Sequence, residues 1–428
     1  MKNQILDENR CAFAPFGRRA TPLAGACCWT LSILTVSGPA HAAEPVASYA
    51  RLFDPYAGVV VEHDSNLFAV GPGFVVDDPH GVPRLADTLT TYRVGTEFNY
   101  LFDLQHLYAT LEGRKVDYDH FTNLDHSEYL VNIGLAWKLT SRFDGVFDAR
   151  REKKIIAFGD ADVSNLQIQT DQVIKATFNV AVTPEWRLES QASLHTLDYP
   201  VAGSPDYRLQ EEIEGVGIKY VGIANLAYGI EALHVDGRYL GVVDAAGFEQ
   251  NADYKQNTYQ FALKYKIQQV TQVNAAIGYT DRSIAGSSTS VSGVTGQLGY
   301  TRQLTGKTSV YVQFQRLINS YVTAGSSEID VGGLVGAYWQ ATPKLGVAVN
   351  YSHVRSNFEG ETLVNALTLG RKDNSSFSTI EVKYQPLRWL TVRPYIKRQV
   401  RESSLEQFTY NDTMVGIELL AKRDAVPR

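Results

Sequence analysis

Asn257-Thr258-Tyr259-Gln260-Phe261-Ala262-Leu263-Lys264-Tyr265-Lys266-Ile267 is the stretch on which the fold turns. Tyr259, Phe261, Leu263, Tyr265 and Ile267 alternate with Thr258, Gln260, Ala262, Lys264 and Lys266, a period of two that puts apolar and polar side chains on opposite faces of an extended strand. A helix would mix the two sets around its surface. The alternation recurs in both directions along the chain. Val273, Ala275, Ile277 and Tyr279 oppose Gln272, Asn274 and Thr280, and Val131, Ile133, Leu135, Trp137 and Leu139 oppose Asn132 and Lys138. Near the end, Leu390, Val392 and Ile396 oppose Thr391, Arg393, Tyr395 and Lys397.

Eighteen segments read this way, at 55–63, 88–102, 106–117, 126–139, 143–158, 167–182, 186–199, 207–221, 225–239, 254–267, 271–282, 291–304, 308–318, 328–339, 345–356, 376–384, 389–400 and 410–420. Two are irregular: 207–221 crowds Glu211, Glu212 and Glu214, and 328–339 is rich in Gly on both faces. The connections alternate between short ones, such as Asp103-Leu104-Gln105 and Thr305-Gly306-Lys307, and long ones, including 64–87, 240–253 and 357–374. Tight turns at one rim and long loops at the other are the build of a bacterial outer-membrane barrel, turns to the periplasm and loops to the exterior. The expected fold is all-β, a transmembrane antiparallel up-and-down β-barrel of about 18 strands over 55–420, followed by a polar tail at 421–428. Sixteen to twenty strands bracket the count.

The rest of the composition agrees. The chain has 428 residues, 44% of them hydrophobic, and its mature part has no run of 18 apolar residues, which excludes a helical membrane protein. Its net charge of −6 argues against binding to nucleic acid, which requires clustered Lys and Arg. At the start, Arg18 and Arg19 precede the apolar stretch Leu23 to Val36, and Ala40-His41-Ala42 offers a small-x-small cleavage site, so residues 1–42 read as a signal peptide. Residues 43–54 then form a periplasmic N-terminal segment. Cleavage removes Cys11, Cys27 and Cys28, leaving no thiol for a disulfide, a nucleophile or a metal. Trp137, Trp186, Trp339 and Trp389 all fall beside short turns, the place of an aromatic girdle at the membrane interface.

An eighteen-strand barrel is wide enough for water inside unless loops or a plug fill it. The polar register assigns to its lumen Arg93, Glu97, Glu112, Arg114, Lys138, Asp148, Arg150, Lys175, Glu189, Glu231, Lys264, Lys266, Glu381, Lys383, Arg393, Lys397 and Glu418, with basic residues grouped at 264–266 and 383–397. Each alone is a solvated wall residue or a cross-strand ion pair; as a set they suggest a path for a hydrated or anionic solute. Inward Tyr395 could offer a flat face to a sugar ring, while most of the 24 Tyr are expected in the girdles or facing lipid. No G-x-S-x-G elbow, H-E-x-x-H or phosphate loop occurs. His120 and His126 lie near Asp117, Asp119 and Asp125 without metal-ligand spacing and read as solvated loop residues. No enzymatic activity, metal or cofactor is expected.

The segment Tyr56-Ala57-Gly58-Val59-Val60-Val61-Glu62-His63-Asp64-Ser65-Asn66-Leu67-Phe68 resembles the first-strand signature of β-barrel porins encoded with exopolysaccharide biosynthesis genes. Those porins open with a short strand and then Asp-Ser/Asp-Asn-Leu-Phe. The resemblance implies an outer-membrane channel taking part in exopolysaccharide export, with periplasmic polysaccharide export proteins as partners. Read by themselves, Asp64, Ser65 and Asn66 are either a strand-ending turn or a solute contact. The last strand carries Val415, Ile417 and Leu419, where outer-membrane barrels usually end in an aromatic residue read by the barrel-insertion machinery. Two other functions fit a barrel of this kind: a general or substrate-selective porin, and a structural or adhesive barrel with a plugged lumen.

Overall fold

A computed structural model describes residues 52–156, 158, 166–199, 207–242, 251–268, 270–285, 290–320, 326–360 and 370–422. The expected signal peptide, most of the segment 43–54 and the tail from 423 lie outside the described residues. The strands are β1 Phe53–Asp64, β2 Val76–Asp77, β3 Pro83–Arg84, β4 Asp87–Phe102, β5 Gln105–Tyr118, β6 His126–Lys138, β7 Phe143–Ile155, β8 Ile168–Ala181, β9 Trp186–Tyr199 and β10 Tyr207–Ile223. They continue as β11 Leu226–Leu240, β12 Tyr254–Ile267, β13 Thr271–Ile284, β14 Ser290–Thr305, β15 Thr308–Ser320, β16 Ser326–Thr342, β17 Leu345–Gly360, β18 Lys372–Leu387, β19 Leu390–Ser403 and β20 Tyr410–Lys422. β2 and β3 form a separate two-stranded ladder within the first long loop.

The other eighteen make one sheet in which each strand pairs with its sequence neighbours, and β1 pairs with both β4 and β20, so the sheet closes on itself. Every ladder is antiparallel. Closure gives each strand a partner on both sides and leaves no edge, the condition for a sheet to stand in hydrocarbon. Eight connections are short and nine are longer, as the sequence pattern requires. Asp103 and Asn225, both in short turns, have φ of 53° and 65°, a conformation that Asp and Asn tolerate better than bulkier residues. β1 starts at Phe53 and β20 ends at Lys422, slightly beyond the expected 55 and 420.

Cross-strand register carries the alternation around the barrel. Tyr259 faces Tyr279 and Phe261 faces Ile277, and all four are exposed on the outside, Tyr259 at 65% and Ile277 at 61%. Thr258, Gln260 and Ala262 on the other face are buried. The band continues through Val94, Ile230, Val294, Phe314, Val335 and Val415, so a belt of the outer surface is apolar. A belt of that extent in contact with water would be an aggregation surface; against lipid it is the expected finish. The crowded glutamates of β10 separate by the same rule: Glu211 is buried inside, Glu212 and Glu214 stand outside.

Tyr395 lies on the inner face as read from the sequence, and Tyr56, Tyr108 and Tyr311 join it there against expectation, each of the four paired across the ladder with a glycine: Tyr56 with Gly95, Tyr108 with Gly134, Tyr311 with Gly336 and Tyr395 with Gly416. A Cβ on Gly134 would sit within the Tyr108 ring, so glycine is what lets that ring lie flush against the wall. The hydroxyls of Tyr56, Tyr108 and Tyr395 donate to Glu112, Asp148 and Glu62 at 2.7, 3.0 and 2.7 Å. These rings stiffen the wall by closing over glycine and bracing an acid.

Candidate functional site

The register traces the inner face from Gln260 through every ladder. It puts Arg93, Glu97, Glu112, Arg114, Lys138, Asp148, Arg150, Lys175, Glu189, Glu231, Lys264, Lys266, Glu381, Lys383, Arg393, Lys397 and Glu418 on the same face as one another. Most are brought together in pairs. Glu418 is held between Arg93 and Arg393, and Glu112 accepts from Arg114 Nε at 2.5 Å. Arg114 reaches Glu128 at 3.3 Å, and Glu152 takes Arg150 and Lys154. Lys397 sits 2.9 Å from Glu62, and Lys422 lies 2.7 Å from Glu97. Lys175 stands across the ladder from Asp148. Lys219, which the sequence reading left out along with Glu62, Glu128 and Glu152, holds Glu189 at 2.8 Å.

Three cations differ. Among the described residues, Lys264, Lys266 and Lys383 have neither a carboxylate within ion-pair distance nor an acid paired with them across a ladder, and each lies toward the short-turn end of its strand. Their neighbours explain it: Lys264 faces Ala227 and Asn274, Lys266 faces Gln272, and Lys383 faces Gly346. Lys138 likewise has no carboxylate within ion-pair distance among the described residues, but it faces Asp144, which Arg187 holds at 3.2 Å.

Toward the long-loop rim the interior is packed instead of wet. Leu67 and Phe68, with Val70, fold inward against Leu89, Val116, Tyr118, Phe121, Leu124 and Phe158. Phe68 is 1% exposed, its ring centroid 4.7 Å from that of Phe121. Asp64, Ser65 and Asn66 form the turn that delivers this loop: Asn66 N–H donates to Asp64 Oδ1 at 2.9 Å, Ser65 Oγ donates to Asp412 at 2.9 Å, and Asn66 Nδ2 donates to the Val70 carbonyl at 2.9 Å. Asp87, buried at the start of β4, accepts the backbone N–H groups of Thr88 at 2.7 Å, His120 at 3.1 Å and Phe121 at 2.9 Å. With Asp119 and His120 it makes a three-residue cluster, but its carboxylate is already committed to the backbone. His126 corrects the reading of a solvated residue: it is buried, with Nδ1 2.7 Å from the Leu124 carbonyl and Nε2 3.2 Å from Glu128.

On the opposite side, the β15–β16 hairpin bends into the lumen. The β14–β15 ladder ends at Gly296–Arg316, and beyond it Ile318 and Ile329, on the hairpin's outer face, pack against inward Val291 of β14. Ser320 Oγ thereby reaches Glu211 on β10 at 2.8 Å, and Arg282 Nη1 donates to Ser320 at 3.3 Å. Glu211 also meets Tyr254 and His195 Nδ1, the latter at 2.7 Å. Nothing in the alternating pattern signals this bend. Trp186, Trp339 and Trp389 are 40%, 52% and 47% exposed at the short-turn rim, and Trp137 shares the outer face there.

No family model matches the chain, and no curated protein matches it. Among solved structures it is similar to Pseudomonas aeruginosa OpdQ, at 12% identity with a TM-score of 0.44, covering 87% of this chain and 97% of that one. Pseudomonas aeruginosa OccK2 (OpdF) in complex with glucuronate gives 10% identity and a TM-score of 0.45, covering 86% and 98%. OccK1 (OpdK) of the same organism gives 11% and 0.44, covering 87% and 99%. Likenesses this distant decide nothing about ligand or mechanism, which rest on the chain's own geometry.

Proposed function

We propose that the protein is an outer-membrane porin, a passive channel for small hydrated solutes with a preference for anions. The observation that carries this reading is the trio Lys264, Lys266 and Lys383, cations on the inner face with no acid paired with or facing them among the described residues, in a barrel whose other lumenal charges are largely neutralised in pairs. Fixed unpaired charge in a water-filled passage concentrates counter-ions and raises their rate of entry. Placing the short turns in the periplasm puts these lysines at the inner mouth and the narrowed end outside. The partners are then a hydrated solute and membrane lipid.

Export of exopolysaccharide has only the resemblance of Tyr56 to Phe68 behind it. In that segment Leu67 and Phe68 are core residues, and Asp64, Ser65 and Asn66 are spent on a turn, so the motif is accounted for by folding alone. An inward-packed outer mouth suits small solutes better than a polymer. Planar-bilayer recording tests the porin reading: purified protein should give open-channel current with an anion-selective reversal potential in a salt gradient. Absence of current would overturn it, and loss of polymer secretion in a deletion strain would restore the export reading.

A further inference from the structure

Between the bent hairpin and the short turns, five neighbouring strands, β13 to β17, line the lumen without a charge. Their inward residues are every second one from Gln272 to Thr280, Gly293 to Gln303, Ser309 to Gln315, Gly332 to Gln340 and Gly346 to Val354, and all are neutral. Charge resumes on both sides, with Lys264 and Lys266 on β12 and Glu381 and Lys383 on β18. Amides take its place: Gln272, Gln297, Gln303, Gln313, Gln315 and Gln340 all lie on this inner face. On the charged walls inner amides serve acids. Gln260 and Gln191 donate to Glu231 at 2.7 and 3.2 Å, and Asn179 donates to Asp144 at 2.8 Å. The neutral wall has no acid for them to serve.

One spot on that wall is hollow. Gly299 faces Asn274 on β13 and Gln313 on β15, and these with Gln297, Thr301 and Tyr311 line a cavity of about 190 Å³. A Cβ on Gly299 would meet only the Asn274 carbonyl oxygen, at 3.8 Å, so the floor of the cup is bare backbone. Gln313 stands between Gly299 and Leu334, neither of which offers its amide a side-chain partner. Tyr311, across from Thr301, lies over Gly336, where a Cβ would fall within the ring. One face of the ring is thus against the wall and the other toward the lumen. Its hydroxyl donates to the Asn350 amide oxygen, whereas those of Tyr56, Tyr108 and Tyr395 donate to carboxylates.

We propose that this cup binds one ring of an uncharged polyhydroxylated solute, a neutral sugar. Sugar hydroxyls both donate and accept, and so do the amides of Asn274, Gln297 and Gln313 and the hydroxyl of Thr301, which surround the cup on three strands. The open face of Tyr311 adds a flat apolar surface for the C–H side of the ring. An anion would find no cation on this wall, and a cation no acid, so the site selects for neutrality where Lys264, Lys266 and Lys383 select for charge. The inference goes beyond the anion preference proposed above and requires only that the lumen be wet.

Saturation-transfer NMR of the full chain, in a detergent without a sugar headgroup, tests it with methyl β-glucopyranoside as the probe and butyrate as an anionic comparator. The glucoside should give a saturable signal. Gln313→Leu, which keeps the volume and drops the amide, should weaken its binding roughly fivefold. Gly299→Ala, whose added methyl group clashes with nothing, raises the floor of the cup and should weaken binding in the same direction. Thr110→Val, an inward change on the opposite wall, should bind as the unaltered protein does. No saturable signal, equal binding in both cup variants and the unaltered protein, an equal loss in Thr110→Val, or a butyrate signal that the cup variants also remove would overturn the inference. The measurement needs no current, so failure of sugar binding and absence of conduction in a bilayer are read separately.

Discussion

The two ends of the barrel interior treat their charged residues differently. Toward the long loops, Phe68, Leu124, Glu211 and Asp87 are almost wholly buried, and the acids among them are held by backbone N–H groups, a histidine and hydroxyls. Toward the short turns, Lys266 and Lys383 are exposed and Lys264 half-buried, with no acid among the described residues to hold them. A buried charge is tolerable only when its hydrogen bonds are met, so the first end is rigid by necessity. A solvated charge can stay unpaired, which leaves it free to act on ions in the passage. In the porin we propose, one end would determine what size can pass and the other what sign.

The largest effect expected is on the packed end. Phe68→Ala should remove about 3–5 kcal/mol of packing from the inward loop. Its signatures would be faster proteolysis at Arg84 and larger single-channel conductance; neither change would mean the loop does not narrow the mouth. Asp87→Ala strips an acceptor from three backbone N–H groups and should cost roughly 2–3 kcal/mol, read as a lower urea midpoint for unfolding in detergent.

At the wet end, replacing Lys264, Lys266 and Lys383 by Gln should move the reversal potential several-fold toward cations in permeability ratio. Arg393→Gln should move it much less, because Arg93 still neutralises Glu418. Equal shifts would erase the distinction between paired and unpaired cations. The smallest effect is confined to the β2–β3 loop. There the Val82 backbone N–H, together with those of His80 and the Arg84 side chain, holds the Asp78 carboxyl below its ordinary range. A carboxyl depressed on folding contributes stability above its unfolded pKa and loses it as pH falls through the folded one. Amide shifts of Val82 and His80 should thus hold steady down to about pH 4 and move only below it; movement between about pH 4 and 5 would contradict the assignment.

Strand number, turn alternation and the facing of side chains were all readable because a period of two is a local property, visible within five or six residues. Glu211 and Glu212 show its reach, since adjacent glutamates end on opposite faces. The packed end was not readable. Leu67 and Phe68 follow a turn motif and carry no period of their own, so their burial depends on Val116, Phe121 and Phe158, distant in sequence. Ile318 and Ile329 have the parity of lipid-facing residues and are buried because the hairpin tip bends, which alternation cannot express. Of the inner tyrosines paired with glycine, Tyr395 was readable but Tyr56, Tyr108 and Tyr311 were missed for a related reason: a ring over Gly134 or Gly336 is a property of the pair across the ladder. That signal was available in the sequence once neighbouring strands were aligned.

Accessibility along β12 tests the central claim most directly. Single cysteines placed in turn at 263, 264, 265, 266 and 267, with Cys11, Cys27 and Cys28 replaced, would be treated in liposomes with a water-soluble thiol reagent. An oily exterior around a wet interior predicts modification at 264 and 266 and protection at 263, 265 and 267. Uniform modification, or the reverse alternation, would contradict it.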